Sequence, residues 1–153
     1  MTETAMCWGI CTGDGWYNIL DVLCGMLYSD YRQAKDRYQY LAETGVGGVL
    51  YGTRTVTQEE IDQAKEKMDE EKEKVPVAVQ VKEKFGGLRF YVERATEKHY
   101  NFISVVENMS YRTCEECGAP GQRYTDGWHT TLCDIHAEMN GRSNQVEDEE
   151  AEE

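Results

Sequence analysis

What this chain of 153 residues lacks bounds it first. It has no run of 18 or more apolar residues, so nothing in it reads as a membrane-spanning helix. Its first residues lack a basic segment followed by an apolar run, so no secretory signal is expected. Positive charge is scarce: 16 Lys and Arg stand against 29 Asp and Glu, a formal net charge of −13. Phosphate backbones are held by positive surface, so this balance argues against general nucleic-acid binding. The glycines Gly45, Gly47 and Gly48 have neither a preceding strand nor a following Lys-Ser/Thr, which excludes a phosphate-cradling loop.

What is present centres on one pattern. Cys114, Cys117, Cys133 and His136 read C-x2-C-x15-C-x2-H. Two close pairs of soft or borderline ligands, separated by a short hairpin, suit a closed tetrahedron around one structural Zn2+. Asp126-Gly127 between the pairs is a two-residue hairpin signal. Cys133 and His136 are three apart, so a helix would put them on one face. Knuckle, hairpin and helix together describe a treble-clef-like unit over 112–140. Six cysteines would suit disulfides in a small secreted protein, but three belong to this pattern, so a reducing cytoplasm is the expected compartment. Cys7 and Cys11 find no second ligand pair and are expected to be buried small side chains or redox-silent thiols, and Cys24 is expected in the core.

The remainder predicts an α+β domain over 1–142: a helical hairpin, a small antiparallel β-hairpin sheet, a helix, and the zinc unit. Asp14 is the expected cap of a long helix whose apolar stripe runs from Trp16 through Leu20, Leu23, Leu27, Tyr31, Ala34 and Tyr38 to Leu41. Thr57 and Glu60 form a capping box for a polar surface helix ending before Pro76. Val77, Val79 and Val81 alternate as a strand, Phe85-Gly86-Gly87 turns, and Leu88, Phe90 and Val92 alternate again. Thr96 caps a further helix, with His99 on its surface. The expected core joins Trp16, Leu20, Leu23, Leu88, Phe90, Phe102, Val106 and Met109.

Lys82, Lys84, Arg89 and Arg94 make the strand pair locally basic, and with Phe85, Phe90 and Tyr91 it invites comparison with an RNA-stacking sheet. The order of glycines and aromatics fits that motif poorly, so core packing and a salt-paired surface are the expected roles. Residues 143–153, with Glu147, Asp148, Glu149, Glu150, Glu152 and Glu153, read as a disordered acidic tail; a nucleic-acid mimic or a lure for a basic partner is the sharper alternative.

Three of these segments carry a resemblance. Gly13-Asp-Gly-Trp16, Gln80-Val-Lys-Glu-Lys-Phe-Gly-Gly-Leu-Arg-Phe-Tyr91, and Cys114-Glu-Glu-Cys117-Gly-Ala-Pro-Gly through Gly127-Trp128 to Thr131-Leu-Cys133-Asp-Ile-His136 resemble a group of small bacteriophage and bacterial proteins without an assigned activity. The resemblance covers roughly 11–29 and 76–140, and residues 44–75 then look like a helical-hairpin insertion. It implies a phage or prophage origin and no particular chemistry.

The function expected is that of a non-enzymatic, zinc-stabilised interaction protein that modulates or inhibits a host protein machine, in host takeover or anti-defence. Its partner would be a host protein with a basic surface, met by Glu59, Glu66, Glu70 and Glu73 of the surface helix. A nucleic-acid-binding zinc protein is the alternative. An HNH-like nuclease is a further one, with His129 as base and Asn140 as metal ligand, but it needs an open metal position that four closing ligands do not leave.

Overall fold

The computed structural model describes residues 5–52 and 54–142. The expectation for the acidic stretch 143–153 falls outside the described residues. Within them the chain is α+β, as its patterning predicts. Short 3-10 turns at Ala5–Trp8 and Asp14–Trp16 flank β1 (Ile10–Cys11). Helices α1 (Tyr17–Leu27) and α2 (Ser29–Thr44) follow, then β2 (Val49–Leu50), β3 (Arg54–Thr55) and α3 (Gln58–Glu73). The sheet strands β4 (Val77–Lys84) and β5 (Gly87–Glu93), α4 (Glu97–Ser110), β6 (Gln122–Tyr124), β7 (Thr130–Leu132) and α5 (Asp134–Met139) complete it. No helix of the described residues is long and apolar enough to cross a membrane.

The long first helix is two helices. Tyr28 interrupts it, and the Ser29 hydroxyl donates to the Met26 carbonyl at 2.8 Å. Serine's habit of bonding nearby backbone makes such a break favourable. The apolar stripe continues across the break, so spacing alone could not reveal it. Its two halves serve different cores. Leu20, Leu23 and Leu27 join Trp16, Val81, Leu88, Phe90, Ile103 and Val106 in the main core. Leu41 packs instead with Leu50, Val56 and Ala64 inside the α2–α3 hairpin.

The main sheet has the order β1-β4-β5, with β1 parallel to β4 and β4 antiparallel to β5. A register shift between Ala78 and Gln80 breaks the expected alternation. Ala78 and Val81 face the core, whereas Val77 is exposed. Phe85 and Gly86 turn the hairpin with φ of 55° and 73°, the positive values of a type I′ turn. The outer edge of β5 is closed by side chains of α4. Ser110 Oγ accepts from Leu88 N–H at 2.8 Å, and Glu107 Oε1 accepts from Phe90 N–H at 2.8 Å.

Several single-residue expectations change. Asp14 makes no side-chain cap. His99 is buried, because it occupies the third position of a capping box: its N–H donates to Thr96 Oγ1 and its Nδ1 accepts from Thr96 N–H at 3.2 Å. Met109 is exposed, because the buried stripe of α4 runs His99, Ile103, Val106, Ser110, one position off its own. Cys7, Cys11 and Cys24 are exposed rather than buried. The Thr57–Glu60 capping box forms as expected.

Candidate metal centre

The end of α4 leads directly into the knuckle. Gly118 closes it with φ of 77°, and its N–H donates to the Cys114 carbonyl at 2.9 Å. The knuckle is tied to the next strand by Glu115 N–H donating to the Thr131 carbonyl at 2.9 Å. The connection between β6 and β7 spans five residues rather than the two that Asp126-Gly127 suggested. Arg142 fastens that loop, pairing with the Asp126 carboxylate at 3.1 Å and donating to the Trp128 carbonyl at 2.5 Å. Cys133 stands at the entry to α5, and His136 follows on its first turn.

Cys114, Cys117, Cys133 and His136 thus converge, with ligand atoms within 4.8 Å of one another. Cys117 Sγ and Cys133 Sγ are 3.8 Å apart; His136 Nδ1 lies 3.5 Å from Cys114 Sγ and 3.2 Å from Cys133 Sγ. A tetrahedron with zinc bonds of about 2.3 Å to sulfur and about 2.0 Å to nitrogen has edges of about 3.8 Å and about 3.5 Å. The donor geometry therefore fits one metal ion and is compatible with zinc. Cys114 is fully buried and Cys117 is exposed.

Burial and backbone donors act on the thiols in opposite directions. Burial opposes ionisation of Cys114, but backbone N–H groups of Cys133, Cys117 and Glu116 outweigh it and bring the thiol down to about 7. Cys117 moves the other way. The Ala119 N–H favours its thiolate, yet desolvation and the neighbouring Cys114 and Cys133 sulfurs raise it. Neighbouring thiolates resist ionising together until a cation joins them. Glu115 in the knuckle is pushed up to about 7, first by desolvation and then by Glu83 and Glu116. Among the described residues its Oε2 is buried without a hydrogen-bond partner.

The Gly13–Trp16 segment clamps this knuckle from the far end of the chain. Gly15 N–H donates to the Glu115 carbonyl at 2.9 Å, and Trp16 Nε1 donates to the Thr113 carbonyl at 2.8 Å. A Cβ on Gly15 would lie 2.2 Å from the Cys114 carbonyl oxygen, and one on Gly13 would lie 2.1 Å from that of Glu115. Only glycine permits such an approach. Buried Thr131 completes the docking from the other side, donating to the Gly86 carbonyl at 2.6 Å.

Other expected site residues lie elsewhere. Asn140 donates its amide to the His136 carbonyl at 2.7 Å, and His129 Nδ1 faces Arg123 at 3.2 Å. Among the described residues no second group of three or more His, Cys, Asp or Glu is placed to hold a metal. Glu66, Glu70 and Glu73 line one shallow groove on α3 with Asp62, Lys65 and Asp69; Glu59 is exposed apart from them, bonded to Gln63. The roles of Gly15, Thr131 and Arg142 escaped the sequence reading. A glycine pair before Trp16 was the available signal for the first.

Fold and site define an α+β protein built around a Cys3His centre. Comparison with protein-family models, curated proteins and solved structures finds no match for this chain.

Proposed function

We propose that this is a phage-encoded, non-enzymatic interaction protein, stabilised by zinc, that binds a host protein through that partner's basic surface and so modulates or inhibits it. Three thiolates and one imidazole in a closed tetrahedron favour Zn2+ and leave no coordination position for an activated water. A closed centre of this kind stabilises the fold, by about 10 kcal/mol in isolated fingers.

The observation that carries the reading is the acidic surface of α3, where Asp62, Glu66, Asp69, Glu70 and Glu73, with Lys65 as the one cation among them, are presented by a helix with its own capping box and core. Glu66 and Glu73 are in no ion pair among the described residues. Clustered charge steers association over a screening length of about 8 Å, and an ordered helix loses little entropy on binding. The phage origin rests on the resemblance of the three sequence segments.

The test is affinity capture from host lysate with the full chain, a Glu66→Gln/Glu70→Gln/Glu73→Gln variant and a chain lacking 147–153. A stoichiometric basic protein should be held by the full and shortened chains, insensitive to nuclease, and lost from the triple variant. Equal recovery by the triple variant, or loss on shortening alone, refutes the assignment to α3.

A further inference from the structure

A second surface is built of positive charge and aromatic rings. On the outer face of the main sheet, Gln80, Lys82 and Lys84 of β4 lie opposite Tyr91, Arg89 and Gly87 of β5. Over those positions the face carries three cations and no acid. Lys82 and Arg89 are direct cross-strand partners, an arrangement of like charges that costs stability. Arg123 joins them from β6: the guanidinium carbons of Arg89 and Arg123 lie 5.7 and 4.9 Å from the centre of the Tyr111 ring. None of these four cations is in an ion pair among the described residues, although acids outnumber bases 29 to 16 in the chain.

Rings accompany the charges. Lys82 Nζ lies 5.6 Å from the Tyr91 ring centre, and Lys84 Nζ lies 5.2 Å from that of Phe85. Phe85, Trp128 and His129 then line a cleft of about 390 Å³ together with Glu83, Lys84 and Gly127. Phe85 is 58% and Trp128 76% exposed. Glu83 is the acid there, and its Oε1 is occupied by the Gly86 N–H at 2.6 Å. Phe85 also holds φ of 55°, a backbone conformation that suits glycine. An exposed ring kept in a strained turn points to use at a binding surface.

We propose that this track binds single-stranded nucleic acid, with Lys82 and Lys84 on phosphates, Arg89 and Arg123 adding positive field from guanidiniums held by Tyr111, Leu88, Phe85 and His129, and Phe85 and Trp128 stacked on bases. A flexible strand offers both groups at once, and every base has a face to stack, so the recognition is indifferent to sequence. Contacts to phosphates and base faces treat DNA and RNA alike. A duplex hides its base faces and meets the overall acidity with denser charge, so it is the poorer ligand. An acidic peptide would satisfy the cations but leave both rings unused. The site shares no residue with the α3 groove, so the two readings stand or fall separately.

The test is fluorescence anisotropy with labelled oligothymidylate and oligouridylate of about ten nucleotides, using the zinc-loaded full chain at low salt. Both strands should bind, and the matching duplex more weakly. Trp128→Ala and Phe85→Gly should each weaken binding about tenfold, one base stack; the glycine also suits the turn, so folding is spared. Lys84→Gln should lower the salt dependence by about 0.7 in log–log slope, one phosphate contact. The Glu66→Gln/Glu70→Gln/Glu73→Gln variant should bind no more weakly than the parent. The proposal is overturned if neither strand binds at low salt. It is equally overturned if both ring variants bind as the parent does, or if a polyglutamate peptide of equal length binds as tightly as the strands.

Discussion

Replacing Gly15 with alanine tests whether the N-terminal clamp shapes the metal centre. The new Cβ would lie 2.2 Å from the Cys114 carbonyl oxygen, 2.5 Å from Gly118 N and 2.6 Å from Cys117 N. Carbon–oxygen contacts ordinarily begin near about 3.3 Å, so the two segments must part by about 1 Å. All three neighbours are backbone, and no side chain can swing aside. Overpacking of this kind costs about 1–3 kcal/mol. The Gly15–Glu115 and Trp16–Thr113 hydrogen bonds are strained with it, at about 1 kcal/mol each. A total of about 3–5 kcal/mol follows. If half of that reaches the metal equilibrium, zinc affinity falls about 10–70-fold. Competition with a chromophoric chelator at neutral pH reads this directly. Gly25→Ala is the control: a Cβ there meets nothing within 4 Å in α1, and it should stabilise by about 0.5–1 kcal/mol. Unchanged zinc affinity and stability in Gly15→Ala would refute the clamp.

Cys117→Ser should reduce bound zinc from one per chain to none by elemental analysis, with loss of solubility. Phe90→Ala should cost about 3–5 kcal/mol in urea unfolding, whereas Met109→Ala on the exposed side of α4 should cost less than about 1 kcal/mol. Glu115 gives a pH signature. Its folded-state pKa is raised to about 7 from 4.5, so between those values the fold keeps a proton that the unfolded chain has released, and stability falls as pH rises. Glu115→Gln should therefore match the parent near the bottom of that window and exceed it in melting temperature above its top. Equal melting temperatures across the window would show that Glu115 ionises without cost.

Much of this was legible because local chemistry decided it. Thr57 with Glu60, the alternation of Leu88, Phe90 and Val92, and each of the two ligand pairs depend on neighbours a few residues away. The failures came where distant contacts decide. Tyr28 splits a helix whose apolar stripe never falters, because the two halves face separate cores. The bulge near Val79 shifts a strand that reads as regular. His99 looks like a surface residue until its ring is seen taking the place of glutamate in a capping box. Gly15 was legible as part of a turn, but its purpose depends on backbone about 100 positions away. The ligand spacing predicted the donor set, and the packing supplied the clamp.

The closed edge of β5 bears on how this protein meets others. An open strand edge recruits chains indiscriminately through backbone pairing. Here the Leu88 and Phe90 amides are already taken by Ser110 and Glu107, and the α4 helix bars a newcomer from that side. Copies at high concentration cannot zip together along it. Along that edge recognition is left to side chains, whose contacts salt can weaken and single substitutions can redirect.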